Sequence, residues 1–340
     1  MSSDTQVTTF SDIYTEILNK MKQPTNIAAI TSQAKRYANT ALGDMVLGFE
    51  YKLPFLERSA TLTLQAPYST GTVAITAGST TLTGTSTLWT TTNTYGVANA
   101  RVGGKILLAG YTDIYTVTAV GGAGTITLNN RFVGTTLAAG TTYIYFEDTY
   151  SLATDFLKPV NARLFSTSLD IPIVGRHDFQ RRFPRPSLSG KPTVCTILDN
   201  GYSGSVSPVK QIQFSSYPNT ALLVPYAYIT SNLAVSAAGV EQASMSADTD
   251  EPMLPLRYRH GPVLQAIAAW YRDKKDDARA GSADAEYKTL IGRLVGDLNI
   301  GTEQTAQVQP RSGLYTSYAR TPYRGSQKQY SHNNSFDEFR

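Results

Sequence analysis

Phe10, Ile13, Tyr14, Ile17, Leu18 and Met21 recur at intervals of three and four residues, the period of an amphipathic helix. Thr9 or Ser11 is placed to cap its start, Lys20 and Lys22 suit the negative end of its dipole, and Pro24 stops it. Ile27, Ile30, Ala34, Tyr37, Ala41, Met45 and Val46 then share one face of a second helix. The short link predicts an antiparallel pair. Alternation of apolar and polar residues over 59–65 marks a half-buried strand.

From Gly71 to Phe146 the pattern changes to short strands, at 73–75, 106–108, 114–120, 126–128 and 143–146. Turn signals separate them, among them Gly103-Gly104, Asn129-Asn130 and Ala139-Gly140. Such spacing predicts a small barrel or sandwich. Residues 152–159 read as a hinge, followed by strands at 194–198 and 211–214 with an Asp199-Asn200-Gly201 turn between them. A further strand at 222–228 contains Pro225, which places it at a sheet edge. A third helix is predicted over 257–275, and Gly281-Ser282 separate it from a fourth carrying Tyr287, Leu290, Ile291, Leu294 and Leu298. Beyond Gly301 the apolar periodicity ends.

The expected fold class is therefore α+β: a helix pair at the N-terminus, a helix pair at the C-terminus, and a β-rich middle that includes an inserted small β barrel or sandwich. The expected domains are 1–66, the N-terminal helical part of a core; 67–150, the inserted Thr/Gly-rich β domain; 151–300, a β-rich region with the C-terminal helices; and 301–340, an extended arm.

Composition narrows the function. The chain has 340 residues, 41% of them hydrophobic, enough for more than one core. Charged residues are only 16%, below the usual quarter, and the net charge is +4. Such a polar, weakly charged surface suits extensive protein contact, and no basic stripe marks a nucleic-acid binder. A single cysteine, Cys195, excludes an internal disulfide framework. No secretory signal and no bilayer-length apolar run is expected.

Catalytic chemistry finds little support. His177, His260 and His332 are scattered, with no second ligand at metal spacing, so no metal and no cofactor is expected. Cys195 sits in the apolar strand pattern TVCTIL and reads as a buried core residue. Asp248, Asp250 and Glu251 read as a polar turn before Pro252. Glu147 and Asp148 are adjacent, which makes them a poor acid/base pair. The chain is expected not to be an enzyme. The C-terminal segment stands out: Arg311, Tyr315, Tyr318, Arg320, Tyr323, Arg324, Tyr330, Phe336 and Phe339 lie among Ser, Gly and Gln. Tyr and Arg are favoured interface anchors, so these residues are the candidate partner-binding arm.

Several stretches carry a resemblance to a known family: GTVAITAGSTTLTGTSTLW (71–89), VGGKILLAGYTDIYTVTAV (102–120), TITLNNRFVGTTLAAGTTYIYFEDTYSLATDFLKPV (125–160), RRFPRPSLSGKPTVCTILDN (181–200) and RYRHGPVLQAIAAWYRDKKDDARA (257–280). In this order they resemble the head-to-tail adaptor, or connector, proteins of tailed bacteriophages. The resemblance implies a structural virion protein of the neck, assembled in the bacterial host cytoplasm. It would form a homo-oligomeric ring, twelve-fold, between the portal protein and the tail or neck proteins. The C-terminal segment would dock on the portal. Duplex DNA would pass through the channel without sequence-specific binding, and no membrane would be involved. A heterologous interface repeated around a closed rotation makes such a ring. A wall that neutralised many phosphates would grip DNA rather than let it slide, so a polar or acidic lining is expected. The alternative is a receptor- or glycan-binding virion or tail protein that uses the inserted β domain, with Trp89, Tyr95 or Tyr111 as an aromatic platform; ordinary core packing is the competing reading of those three rings.

Overall fold

The computed structural model describes residues 7–48, 53–161, 163–166, 169–184, 189–199 and 210–308. The chain opens with helices α1 (Phe10–Lys20) and α2 (Ala28–Leu47), then enters β1 (Glu57–Leu64). Seven short strands follow: β2 (Thr72–Ile75), β3 (Thr81–Thr85), β4 (Lys105–Leu108), β5 (Ile114–Gly122), β6 (Thr125–Leu128), β7 (Leu137–Thr141) and β8 (Tyr143–Phe146). Next come β9 (Thr149–Ser151), β10 (Phe156–Pro159), β11 (Arg163–Ser166), β12 (Leu169–Pro172), helix α3 (Arg176–Arg182), β13 (Cys195–Asp199), β14 (Lys210–Phe214) and β15 (Leu222–Thr230). The chain closes with β16 (Ala234–Val235), β17 (Glu241–Gln242), β18 (Glu251–Pro252), α4 (Gly261–Asp273) and α5 (Asp277–Val308).

These elements form two compact units. One is Met1–Phe55 with Asn232–Arg340, and the other is Leu56–Ser231, inserted into it in sequence.

In the split unit, α1 starts at a capping box. Thr9 Oγ1 accepts from the Asp12 backbone N–H, and the Asp12 carboxylate accepts from the Thr9 N–H at 2.9 Å. This satisfies two N–H groups that a helix start leaves unpaired. Phe10, Ile13, Ile17 and Leu18 are buried beneath it. Helix α4 has Pro262 in its first turn, where a missing N–H costs nothing, and buries Val263, Leu264, Ile267 and Trp270. It packs against α1, α2 and α5. Gly261 lies at its close approach to α2: a Cβ there would lie 2.5 Å from Met45 Sδ, so the methionine tip would have to shift. The sheet β17–β16–β18 completes this unit.

The expected α+β layout with a helix pair at each end is therefore corrected. The helices do not sort into two terminal pairs: α4, from the C-terminal half, packs on both N-terminal helices, and a fifth helix, α3, lies among the strands. Shared burial decides this, because the apolar faces of α1 and α2 need more cover than each other.

The expected small barrel or sandwich is corrected as well. Strands β2–β8 form one open, half-barrel sheet of order β7-β2-β3-β6-β5-β4-β8. Closure is blocked at β8, whose outer edge is already taken. Tyr68 and Tyr145 exchange both backbone hydrogen bonds at 2.8 Å. The concave core holds Trp89, Leu82, Ile106 and Phe132, all buried, with Trp89 Nε1 donating to Tyr143 Oη at 2.9 Å. A second core in the same unit lies under the sheets β1-β15-β10 and β13-β14-β9, around Leu64, Phe156, Val224 and Tyr226.

Strand β15, expected at an edge, is central, between β1 and β10. It tolerates Pro225 because its ladder there runs to β1 alone: β10 pairs only with Tyr228, Ile229 and Thr230.

Candidate functional site

The link from β8 to β9 is where the half-barrel sheet joins the lower β body, and it carries two carboxylates into the interior. Glu147 is 6% exposed and Asp148 1%. Each has its own cation from the half-barrel. Arg101 chelates Glu147 through Nε and a terminal amine, and Lys105 pairs with Asp148. Tyr145 donates to Glu147, and Gln213 of β14 donates to Asp148 at 2.8 Å. Tyr150 Oη accepts from the Gln65 backbone N–H at 3.0 Å and donates to the Glu147 carbonyl at 3.2 Å. Stacking of Phe146 on Tyr217, with centroids 4.2 Å apart, backs the link with apolar contact.

The electrostatics follow from this burial. Desolvation pulls the Arg101 guanidinium toward the neutral form, but the Glu147 charge and hydrogen bonds outweigh it and hold the guanidinium above its ordinary value. Burial beside Glu147 pushes the Tyr145 and Tyr150 phenols up, so both stay neutral hydrogen-bonding groups.

Above this link opens a cleft of about 590 Å³, walled by β1, the 91–104 segment, β4, β9 and β14. Its lining mixes hydroxyl and amide residues such as Thr63, Thr149 and Gln211 with apolar ones such as Leu62, Val97 and Leu198. The 91–99 hairpin reaches its mouth and presents Tyr95, 57% exposed.

Of the three rings considered as a platform, two belong to the core. Trp89 is fully buried, and Tyr111 packs edge-on against Phe132 at 5.1 Å between centroids. Tyr95 alone of the three stands in solvent. The acidic turn is divided among separate partners. Asp248 pairs with Lys35, Glu251 with Arg259, and the buried Asp250 accepts from the backbone N–H groups of Ser246 and Ala247. Cys195 is buried in β13, its thiol directed at the Pro172 carbonyl at 3.6 Å, and burial pushes its pKa up to about 12. His260 Nε2 lies 3.3 Å from Lys20 Nζ, and His177 falls in α3. Among the described residues no group of His, Cys, Asp and Glu is arranged to hold a metal ion. No described helix is long and apolar enough to cross a membrane.

The arm candidates Arg311, Tyr315, Tyr318, Arg320, Tyr323, Arg324, Tyr330, Phe336 and Phe339, and His332, lie outside the described residues. The Arg101–Glu147 and Lys105–Asp148 pairs were not visible in the sequence, since their partners are 46 and 43 residues apart. The one available signal was the rarity of charge between 71 and 146, where Arg101 and Lys105 are two of the few charged residues. No family model matches the chain, and no curated protein is significantly similar to it in sequence.

Proposed function

We propose that this chain is a structural virion protein, the head-to-tail adaptor of a tailed bacteriophage, and not an enzyme. In this reading, copies form a twelve-fold ring in the neck between the portal protein and the tail or neck proteins. The ring leaves a passage for duplex DNA. The observation that carries it is the run of adaptor-like stretches from 71–89 to 257–280, in that order along the chain.

The chemistry of the described carboxylates supports a building block. Glu147 and Asp148, the most buried acidic neighbours in the β unit, are each neutralised by a fixed cation and further hydrogen bonds. A general acid or base needs a proton to exchange with a substrate, and groups held this way serve as fasteners instead. The thiol of Cys195, buried and protonated, is equally unsuited to nucleophilic attack.

The mechanism is geometric. One face of each copy meets a different face of the next, and closure of the rotation leaves a central hole. Electron microscopy of the purified chain mixed with its cognate portal tests the reading. The expected image is a closed ring of repeated subunits seated on the portal. Solitary subunits that leave the portal bare would overturn it. Removal of residues 301–340 is expected to abolish attachment; unchanged attachment would take the arm out of the reading.

A further inference from the structure

We propose that the cleft over the β8–β9 link is a binding site for a neutral, hydroxyl-rich ligand, a non-acidic oligosaccharide, with the Tyr95 ring as its stacking platform.

The first argument is that Tyr95 is held in place. Asn93 N donates to the Val97 carbonyl at 2.8 Å, and Asn99 N to the Thr91 carbonyl at 3.0 Å, closing the hairpin. The Asn93 side chain accepts from the Tyr95 N–H at 2.9 Å, fixing the tip. Its amide donates to Gln65 Oε1 at 3.0 Å, tying the hairpin to the end of β1. Gly96, with φ +81°, supplies the left-handed residue that the turn requires. A large ring is thus kept 57% exposed at the mouth of a cleft, while Trp89, six positions earlier, is fully buried. The flat apolar face of a pyranose ring covers such a ring well, and the phenol remains free to hydrogen-bond beyond it.

The second argument is charge. The cleft has two cations, Arg101 and Lys105, and each is cancelled by a buried carboxylate. An anionic ligand would gain no net attraction there and would compete with Glu147 and Asp148. A neutral ligand pays no such penalty. Arg101 binds Glu147 through Nε and one terminal amine, and its side chain is 36% exposed, so its other amine is a donor for a sugar hydroxyl. Fixed planar groups of this kind give directional hydrogen bonds without requiring charge on the ligand.

The third argument is the lining. Thr61, Thr63, Thr116, Thr149 and Ser151 place hydroxyls around the cleft, and Gln211 an amide. Such a wall offers both donors and acceptors. Val97, Val102 and Leu198 add apolar surface to the same wall, which the C–H face of a sugar ring can cover. The volume of about 590 Å³ falls inside the range of roughly 300–1,000 Å³ usual for small-ligand sites.

The site does not depend on the adaptor reading, and neither test decides the other. The full chain is to be screened on an array of neutral oligosaccharides built from glucose, galactose, mannose, rhamnose and N-acetylglucosamine. Sialylated and sulfated oligosaccharides and inorganic phosphate serve as acidic probes. Hits are to be measured by calorimetry with the parent chain, Tyr95→Ala and Tyr95→Trp. The expected result is binding of at least one neutral oligosaccharide, weakened tenfold or more by Tyr95→Ala and retained by Tyr95→Trp. Tyr95 stands in solvent at a hairpin tip, so the alanine variant is expected to unfold at the same denaturant concentration as the parent. Three outcomes would overturn the proposal: no neutral oligosaccharide bound, binding of acidic probes alone, or neutral binding indifferent to Tyr95→Ala.

Discussion

The Asp148 carboxylate is wholly buried and meets the Lys105 ammonium, whose side chain is only 15% exposed. A pair this deep has lost its hydration, and each charge depends on the other. Replacing one partner leaves the other uncompensated. Asp148→Leu is therefore expected to destabilise the inserted unit by about 3–5 kcal/mol. The double change Asp148→Leu with Lys105→Met, which removes both charges and keeps the number of side-chain heavy atoms at Asp148, is expected to recover part of that loss. Urea denaturation of the two single variants, the double variant and the parent gives the coupling directly. Additive single effects would show that the pair does not act as a unit.

Asp250 gives the split unit an acid-sensitive anchor. Burial pushes its carboxyl up, but the N–H groups of Ser246 and Ala247 and the Gln242 amide overcome this and hold it below 3.8. The folded chain thus binds this proton less readily than the unfolded chain. The resulting stability is present in full above the ordinary value and disappears as pH falls through the lowered one. Asp250→Asn is expected to cost about 1.5–3 kcal/mol at neutral pH, the range for hydrogen bonds to a charged group. The gap between parent and variant is expected to close below the folded pKa. Urea midpoints measured from neutral pH down to about pH 2 check both the size and the sign.

Cys195 is expected to be inert in the folded chain. Its thiol, pushed up to about 12 by burial, holds a negligible thiolate fraction near neutral pH. Labelling with a thiol-reactive disulfide reagent at about pH 8 is expected to go to completion only in denaturant. Stoichiometric labelling of the native chain within minutes would contradict its burial.

These contacts show where sequence reasoning runs out. Helix α1 was legible because its signal is local: Phe10, Ile13, Ile17 and Leu18 fall on one face, and Thr9 sits where a cap belongs. The boundary between α4 and α5 was misplaced. Gly281-Ser282 looked like the break, yet α5 runs from Asp277 straight through them, and a Cβ at Gly281 would meet open space. The turn is made instead by Lys275 at φ +62°, with Lys274 N donating back to the Trp270 carbonyl. A lysine in left-handed conformation carries no compositional mark. The separate helix pairs failed for a related reason, since periodicity reveals that a face is apolar but not which face covers it. The cleft was not legible in the sequence, which offers Tyr95 only as one of three candidate rings beside Trp89 and Tyr111. Its wall unites Arg101, Lys105 and Glu147, which only the sheet topology brings together.

Gly104 tests the same region through packing alone. A Cβ added there would lie 2.1 Å from Tyr145 Oη and 2.4 Å from its ring carbons. Tyr145 cannot retreat cheaply. Its hydroxyl accepts from the Arg101 N–H at 2.8 Å and donates to Glu147, and its backbone is paired with both Tyr68 and Ile106. Gly104 is pinned as well, because its carbonyl accepts from Val117 N at 2.8 Å. Gly104→Ala is therefore expected to cost about 1–3 kcal/mol by overpacking. Tyr145→Phe removes the atom in closest conflict and is expected to cost less in the Gly104→Ala background than in the parent, although it gives up the bond to Glu147. A double-mutant cycle in urea measures this coupling. If the two changes add without interaction, the tyrosine hydroxyl does not fill the space that the glycine leaves open.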